Sequence, residues 1–477
     1  MKDSGPRISE VPWWQPVLFT AMAGGLGWGI RGQYGHETGA MIAGVLVSLT
    51  LVFLLCPGVS TLQVVRAAAL GTVAMGIGGT ETYGVTLGLC QNPEVVGNWA
   101  ALRWGLLGCL IKGGLWIGFA GLFLGIGLAG KRYSPLEMLV LGLAMIGASF
   151  VGSWLLNSPF DIEARSFSAL NFSNIWYWAP DSESTPRREA WGGLLFAMLV
   201  GLAYTSGWKK DALARNMGLW GLLGGAIGFP LGECLQSYHS WNPDVFARGI
   251  WVRLDPFMNW WNHMETTFGF TMGAVLGLGL WLNRARIDVT PDPNEKTLPL
   301  PLEWALLTIH CYLLLHVQFV GGVVEAFYDA GLILALLPFV CNIRGRIWPW
   351  FQLLPVTLLP IAAKTVRELV FEQNAIAPAG GWALYFAIPL LGSLLLGLRY
   401  ASSEVARGRL RVALLLNVWM YFWLNYAFFR YPWPWEDWTG RTPNGIVFAV
   451  FAIGLTIMVY SNRYRELQES PSSNANQ

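Results

Sequence analysis

Long apolar runs recur along this chain, separated by short polar or basic stretches. A helix that crosses a bilayer needs about 20 apolar residues, within a range of about 17 to 25. Against that ruler the pattern predicts about fourteen spans. They fall near 16–30, 39–56, 64–80, 102–128, 136–156, 190–207, 215–233, 264–282, 302–320, 326–342, 348–370, 380–398, 409–429 and 444–461. The first, second, third and tenth are short for a full crossing, so one or two of them are expected to be re-entrant. The expected fold is an all-α, polytopic transmembrane bundle.

Composition narrows the class further. The chain is 54% hydrophobic and only 13% charged, where soluble proteins carry roughly 25% charged residues. A soluble enzyme of 477 residues could not cover its surface with so little charge. The net charge of +2 supplies no basic field for a nucleic acid. The bilayer is therefore the expected partner, and assembly as a homo-oligomer stays open. The six cysteines lie mostly inside apolar runs and form no CxxC pair. They read as free thiols, with neither a disulfide framework nor a metal site. Glycine-rich stretches such as GGLGWGIRGQYGHETGAMIAG (24–44), GIGGTETYGVTLG (76–88) and GLLGGAIGFPLGE (221–233) lack the strand–turn–helix setting of a dinucleotide site. No cofactor is expected. Small residues here suit close helix approach, or a backbone break beside a cavity.

Charge sets the expected orientation. Basic clusters follow the even-numbered spans: Lys131 and Arg132, Lys209 with Lys210 and Arg215, Arg284 and Arg286, Arg344 and Arg346, Arg399 to Arg411, and Arg463 with Arg465. Positive loops stay on the cytoplasmic side, so both termini are expected there and the protein in a plasma (inner) membrane. No removable leader is expected, because the first apolar run is short and Asp3 and Glu10 interrupt its basic start. The organisation reads as a glycine-rich membrane domain (1–282), a polar, proline-rich cytoplasmic linker (283–301), a second membrane domain (302–461) and a disordered tail (462–477). Outward loops hold tryptophan clusters, which suit the bilayer interface. A short echo, Glu-Thr followed by Gly, recurs at Glu37, Glu81 and Glu265, a pattern compatible with a duplicated unit.

Charge at membrane depth costs about 2.5–3.5 kcal/mol per residue on insertion scales. The residues that incur that cost are the candidates for function. Arg31, His36 and Glu37 share one glycine-rich turn on the outer side. Arg offers a fixed fork for an anion, while His and Glu suit proton exchange. Glu81 and Glu233 close their predicted spans, where no helix dipole favours an acid. His263 and Glu265 open a span, where the dipole does favour one. Lys112 lies nine residues past Arg103, about 13 Å deeper along a helix, and calls for a buried carboxylate such as Glu81 or Glu37. In the second half, His310 and His316 read as core histidines. Glu325 and Asp329 read as acids at a span's start, and Lys364 with Glu368 as a local pair.

Three functions are compatible with this pattern. The first is a secondary transporter for a small, anionic solute, with Glu81 and Glu233 carrying protons. The second is a membrane-embedded enzyme working on a lipid-linked or extracytoplasmic substrate. Its site would lie beneath two outer loops, 157–189 and 234–263, which hold Asp161, Glu163, His239, Asp244, Asp255 and His263. No nucleophile or metal-ligand motif supports the enzyme, so no catalytic residue is assigned. The third is a scaffold subunit whose tryptophan-rich surface binds other proteins.

Overall fold

The computed structural model describes residues 11–32, 34–35, 37–56, 62–80, 84–157, 191–290, 296–402, 408–429 and 437–461. Every regular element among them is helical. Among the described residues, seven helices are long and apolar enough to cross a membrane, or eight if one bent pair counts as a single span. The chain is an all-helical membrane protein. The other helices miss that standard for local reasons. Leu62–Ile77 is 16 residues long, and Trp191–Ala203 is 13 residues long before a π-helical turn takes over.

Six helices close a ring: α1 (Trp14–Arg31), α2 (Glu37–Leu55), α3 (Leu62–Ile77), α5 (Trp99–Leu128), α8 (Ala212–Trp241) and α9 (Trp260–Leu282), with α5 against α8, α8 against α9, and α9 against α1. The short α4 (Gly84–Gln91) lies between α5 and α8. Beside the ring pack α6 (Pro135–Asn157) and α7 (Trp191–Ala203). The later helices cover α1, α2 and α3: α10 (Leu300–Phe319), α11 (Val323–Asp329), α12 (Leu337–Arg344), α13 (Thr357–Val366), α14 (Ile388–Ser402), α15 (Arg409–Phe429) and α16 (Thr442–Tyr460). As a result α2 is wholly enclosed by protein, while most of α6 and α10 faces outward.

Glycine makes the ring possible. Along α9, Gly269, Gly273 and Gly277 repeat every fourth residue and so share one face. A Cβ on any of them would overlap a backbone carbonyl of α1, at Gly24, Thr20 and Pro16 respectively. The α5–α8 seam is built alike. A Cβ on Gly221 or Gly225 would overlap the carbonyls of Ile117 or Gly113. With no hydrophobic drive between helices in lipid, such backbone contact supplies much of the packing.

Several helices are interrupted. After α3 comes a tight turn, Gly78–Thr80, and α4 then starts at Gly84. The predicted spans 64–80 and 102–128 leave 81–101 as the loop between them, but the Leu87 and Cys90 side chains of α4 are fully buried. Between α11 and the helical stretch Leu332–Arg344 the axis bends by 61°, at Gly331, whose φ of +80° suits glycine. Asp329 therefore closes α11 rather than opening a span, at the helix end whose dipole disfavours an acid. The helix α8 runs through Pro230 to Trp241, so Glu233 lies within it and does not close it.

Candidate functional site

The ring's interior is an aromatic plug. The Trp28 ring of α1 meets Trp116 of α5 edge-on at 4.9 Å and Phe268 of α9 at 4.5 Å. Phe268 in turn stacks on Phe229 of α8 at 4.8 Å. The Trp116 indole N–H donates to the Met75 carbonyl at 2.6 Å, fixing the end of α3 against α5. These rings fill the space that the glycine seams leave between the helices.

Arg31 stands on this plug. Its guanidinium carbon lies 5.3 Å from the Trp28 ring centre and 5.4 Å from that of Trp116, within cation–π range. Its Nη2 donates to Glu265 Oε1 at 3.1 Å, and both side chains are 1% exposed. The seam explains the meeting. Glu265 continues the face of Gly269, Gly273 and Gly277 one turn further, so the stripe that brings α9 onto α1 also points this carboxylate at Arg31. A Cβ on Gly32 would strike Glu265. Glu265 also accepts from Trp261 Nε1 at 3.2 Å and from Asn262 Nδ2 at 3.1 Å. It is not the cap of its helix: Asn259 is, accepting from the Asn262 N–H at 2.9 Å. Asn262 further binds the Gly29 carbonyl and accepts from Arg441 Nη1 at 3.3 Å, joining α16 to the site.

The second seam ends in a carboxylate too. The face of α8 that carries Gly221 and Gly225 continues through Phe229 to Glu233. Glu233 is fully buried. Its Oε1 accepts from Ser237 Oγ at 3.2 Å, whereas Oε2 has no hydrogen-bond partner among the described residues. Cys109 of α5 lies within electrostatic range of both Glu233 and Lys112. Lys112 Nζ donates to Thr86 Oγ1 of α4 at 2.8 Å. The sequence called for a carboxylate beside Lys112; the described partner is this hydroxyl, and Lys112 makes further interactions as well. Glu81 and His36 lie outside the described residues.

Glu37, which opens α2, lies within electrostatic range of Arg31, Asp329 and Glu325. Nearby, a cavity of about 210 Å³ is lined by Ile77 at the end of α3, Met145, Ser149, Asp329, Gly331 and Phe339. The end of α3 and the bend after α11 thus border one space. His263 is apart from this group. Its Nε2 has no partner among the described residues, and its ring tilts against Trp260 at 5.8 Å.

Of the outer loops, 158–190 lies outside the described residues. The other holds a pair that the sequence left scattered: His239 Nε2 and Asp255 Oδ1 are 2.9 Å apart. The His239 ring stacks on Trp260 at 4.4 Å, and Trp260 Nε1 donates to the same Asp255 oxygen at 2.7 Å. In the second half, His310 is buried beside Trp348. Arg367 pairs with Glu372 at 3.1 Å and donates to the Gln318 carbonyl. Lys364 and Glu368 feel each other's charge. All six cysteines are free thiols, and among the described residues no cluster of three or more His, Cys, Asp or Glu is placed to hold a metal ion.

No protein-family model matches this chain, and no curated protein is similar to it. The reading of its function therefore rests on the geometry alone.

Arg31, Glu265 and Glu37 form one neighbourhood, while Lys112 and Glu233 are linked through Cys109, which feels the charge of both. Sequence reasoning missed Asn262, Thr86, Ser237 and the two tryptophans that carry Arg31. Only the tryptophans had a signal, being the rare large residues inside glycine-rich stretches.

Proposed function

We propose that this protein is a secondary transporter for a small, anionic solute, coupled to protons. Its bundle has about fourteen spans, with both termini cytoplasmic in a plasma (inner) membrane. The observation that carries this reading is the grouping of buried charge beside interrupted helices. Lys112 bonds to α4, just past the α3 break. Asp329 and Glu37 flank the bend after α11. Transporters bind substrate and coupling ions at such interruptions, where freed backbone groups and helix ends face a cavity. Glu233, buried with an oxygen that no described donor satisfies, suits a proton carrier. Lys112 and Arg31 supply positive charge for an anion. The orientation is supported by Lys209, Arg284, Arg344 and Arg409, whose contacts all lie at the end of the bundle opposite Arg31.

The test is uptake by proteoliposomes loaded with a pH-sensitive dye, with an inward proton gradient, against a panel of small carboxylate and phosphate anions. Wild type is expected to acidify the lumen with at least one of them, and Glu233→Gln and Glu81→Gln to abolish that coupling. Unchanged proton flux in both variants would remove the proton-carrier role.

One observation favours the enzyme instead: the His239–Asp255 pair is half-exposed at the mouth end and oriented by Trp260. A histidine so held can serve in acid–base chemistry. If His239→Gln leaves transport intact, the pair is separate from the translocation route.

A further inference from the structure

At the end of the bundle opposite Arg31, four cations converge on one concavity. A cavity of about 250 Å³ is lined by Gln63 and Arg66 of α3, Lys131 and Arg132 from the turn after α5, Arg344 at the end of α12, and Asp288. Among the described residues, Asp288 is the one carboxylate lining this cavity. Parts far apart in sequence build it, and the structure holds them with specific bonds. Arg344 Nε donates to the Tyr133 carbonyl at 2.8 Å, and Arg66 Nε to the Gly345 carbonyl at 2.9 Å. The Asp288 N–H donates to the Leu128 carbonyl at 2.8 Å. The turn that carries Lys131 and Arg132 over the opening depends on Gly130, which has a φ of +65° and would place a Cβ 2.6 Å from Asp288.

Basic residues near helix C-termini and at a membrane face have an ordinary explanation, in the helix dipole and the positive-inside bias. That explains exposed Lys131 and Arg132. It does not explain Arg66, which is 3% exposed and lies near the N-terminal end of α3, where the dipole disfavours a cation; there the buried Glu303 carboxylate is within electrostatic range of it. Nor does it explain why charges from three separate segments line one recess. Elsewhere at this end, Arg284 lies over the Trp281 ring at 4.0 Å, and Arg411 over that of Tyr460 at 5.4 Å.

We infer that this recess is a binding site for a phosphate group, taken either from the headgroup of an anionic phospholipid or from a small soluble phosphate. Arg forks and an ammonium match phosphate oxygens through charge-assisted hydrogen bonds. Basic pockets between helices at a cytoplasmic face hold such headgroups. The site is separate from Arg31, Lys112 and Glu233, and does not depend on the transport reading.

The experiment uses the full chain in neutral detergent. Binding of radiolabelled inorganic phosphate and of short-chain phosphatidylglycerol is measured at equilibrium, with phosphatidylcholine as the baseline. The variants are Lys131→Gln/Arg132→Gln, exposed positions whose loss leaves the core untouched, and Arg215→Gln/Arg286→Gln as a control outside the recess. Saturable binding of either probe is expected, weakened about tenfold by the first variant, as loss of charge-assisted bonds predicts, and unchanged by the second. Binding of inorganic phosphate identifies a soluble ligand; binding of phosphatidylglycerol alone identifies a lipid headgroup. Binding of neither probe above the phosphatidylcholine baseline overturns the inference. So does equal weakening by both variants, or none by the first.

Discussion

Two helix pairs in this protein are built on one plan and end differently. In α1–α9 and in α5–α8, a face of small residues repeating every fourth position brings two backbones into contact, and the same face delivers a buried carboxylate, one turn beyond the glycines in α9 and two turns beyond in α8. In the first pair the carboxylate meets a guanidinium and two side-chain N–H donors. In the second it meets one hydroxyl, and one oxygen is left without a described donor. The same packing device therefore serves two ends. Glu265 is held by a cation and two further donors. Glu233 is enclosed with one oxygen that no described residue satisfies, which is the feature on which its proposed role as a proton carrier rests.

Substitutions can break this contrast. The largest effect is expected at the satisfied pair. Glu265→Gln strands a buried Arg31 and should cost about 3–5 kcal/mol of stability, read as loss of monodisperse protein on size exclusion and a fall in Tm. Glu233→Gln should leave Tm nearly unchanged while removing proton coupling. Equal destabilisation by the two would dissolve the distinction. Next come the seams. Gly225→Val and Gly269→Val each force a side chain into a facing carbonyl and should cost about 3 kcal/mol or more, the upper end for overpacking. A mild effect at either glycine would show that its seam can open.

Smaller effects sharpen the picture around α4. Thr86→Val removes the hydroxyl that Lys112 donates to and should cost about 1–2 kcal/mol, with a larger relative loss in uptake than in Tm. Last is Asp211, whose carboxylate caps α8 by accepting from the Ala214 N–H at 2.9 Å. Asp211→Asn, which keeps an acceptor for the Ala214 N–H and a hydrogen-bonding partner for the Tyr133 hydroxyl at 2.9 Å, should cost no more than about 1 kcal/mol in thermal unfolding and leave transport unaltered, because the cap lies at the far end of the helix from Glu233.

The membrane class and the helical content were legible in the apolar runs, because burying a backbone in lipid leaves few alternatives. The buried ions were legible one by one, since charge inside an apolar run is costly wherever it falls. Their pairing was not. Arg31 and Glu265 are 234 positions apart, and what joins them is the register of a glycine stripe against a second helix. Glu233 looked terminal because Pro230 and the polar residues that follow resemble a helix end, yet α8 continues to Trp241. Eight residues are too few for α4 to announce itself, so its burial was invisible. The recess around Arg66 was hidden for a related reason: its cations come from three segments, two of which look like ordinary cytoplasmic turns while Arg66 stands alone at the start of a predicted span.

The glycine seams also govern how the ring can move. A face that repeats every fourth residue fits its partner only in discrete positions. The smallest slide that restores the match is one repeat, four residues or about 6 Å at 1.5 Å per residue. Any lesser slide drives a carbonyl into a neighbouring Cα. The ring is therefore keyed, and has no graded sliding mode. The keying stops at the short α4 and at the bend after α11, where the backbone is interrupted and neither glycine stripe constrains it.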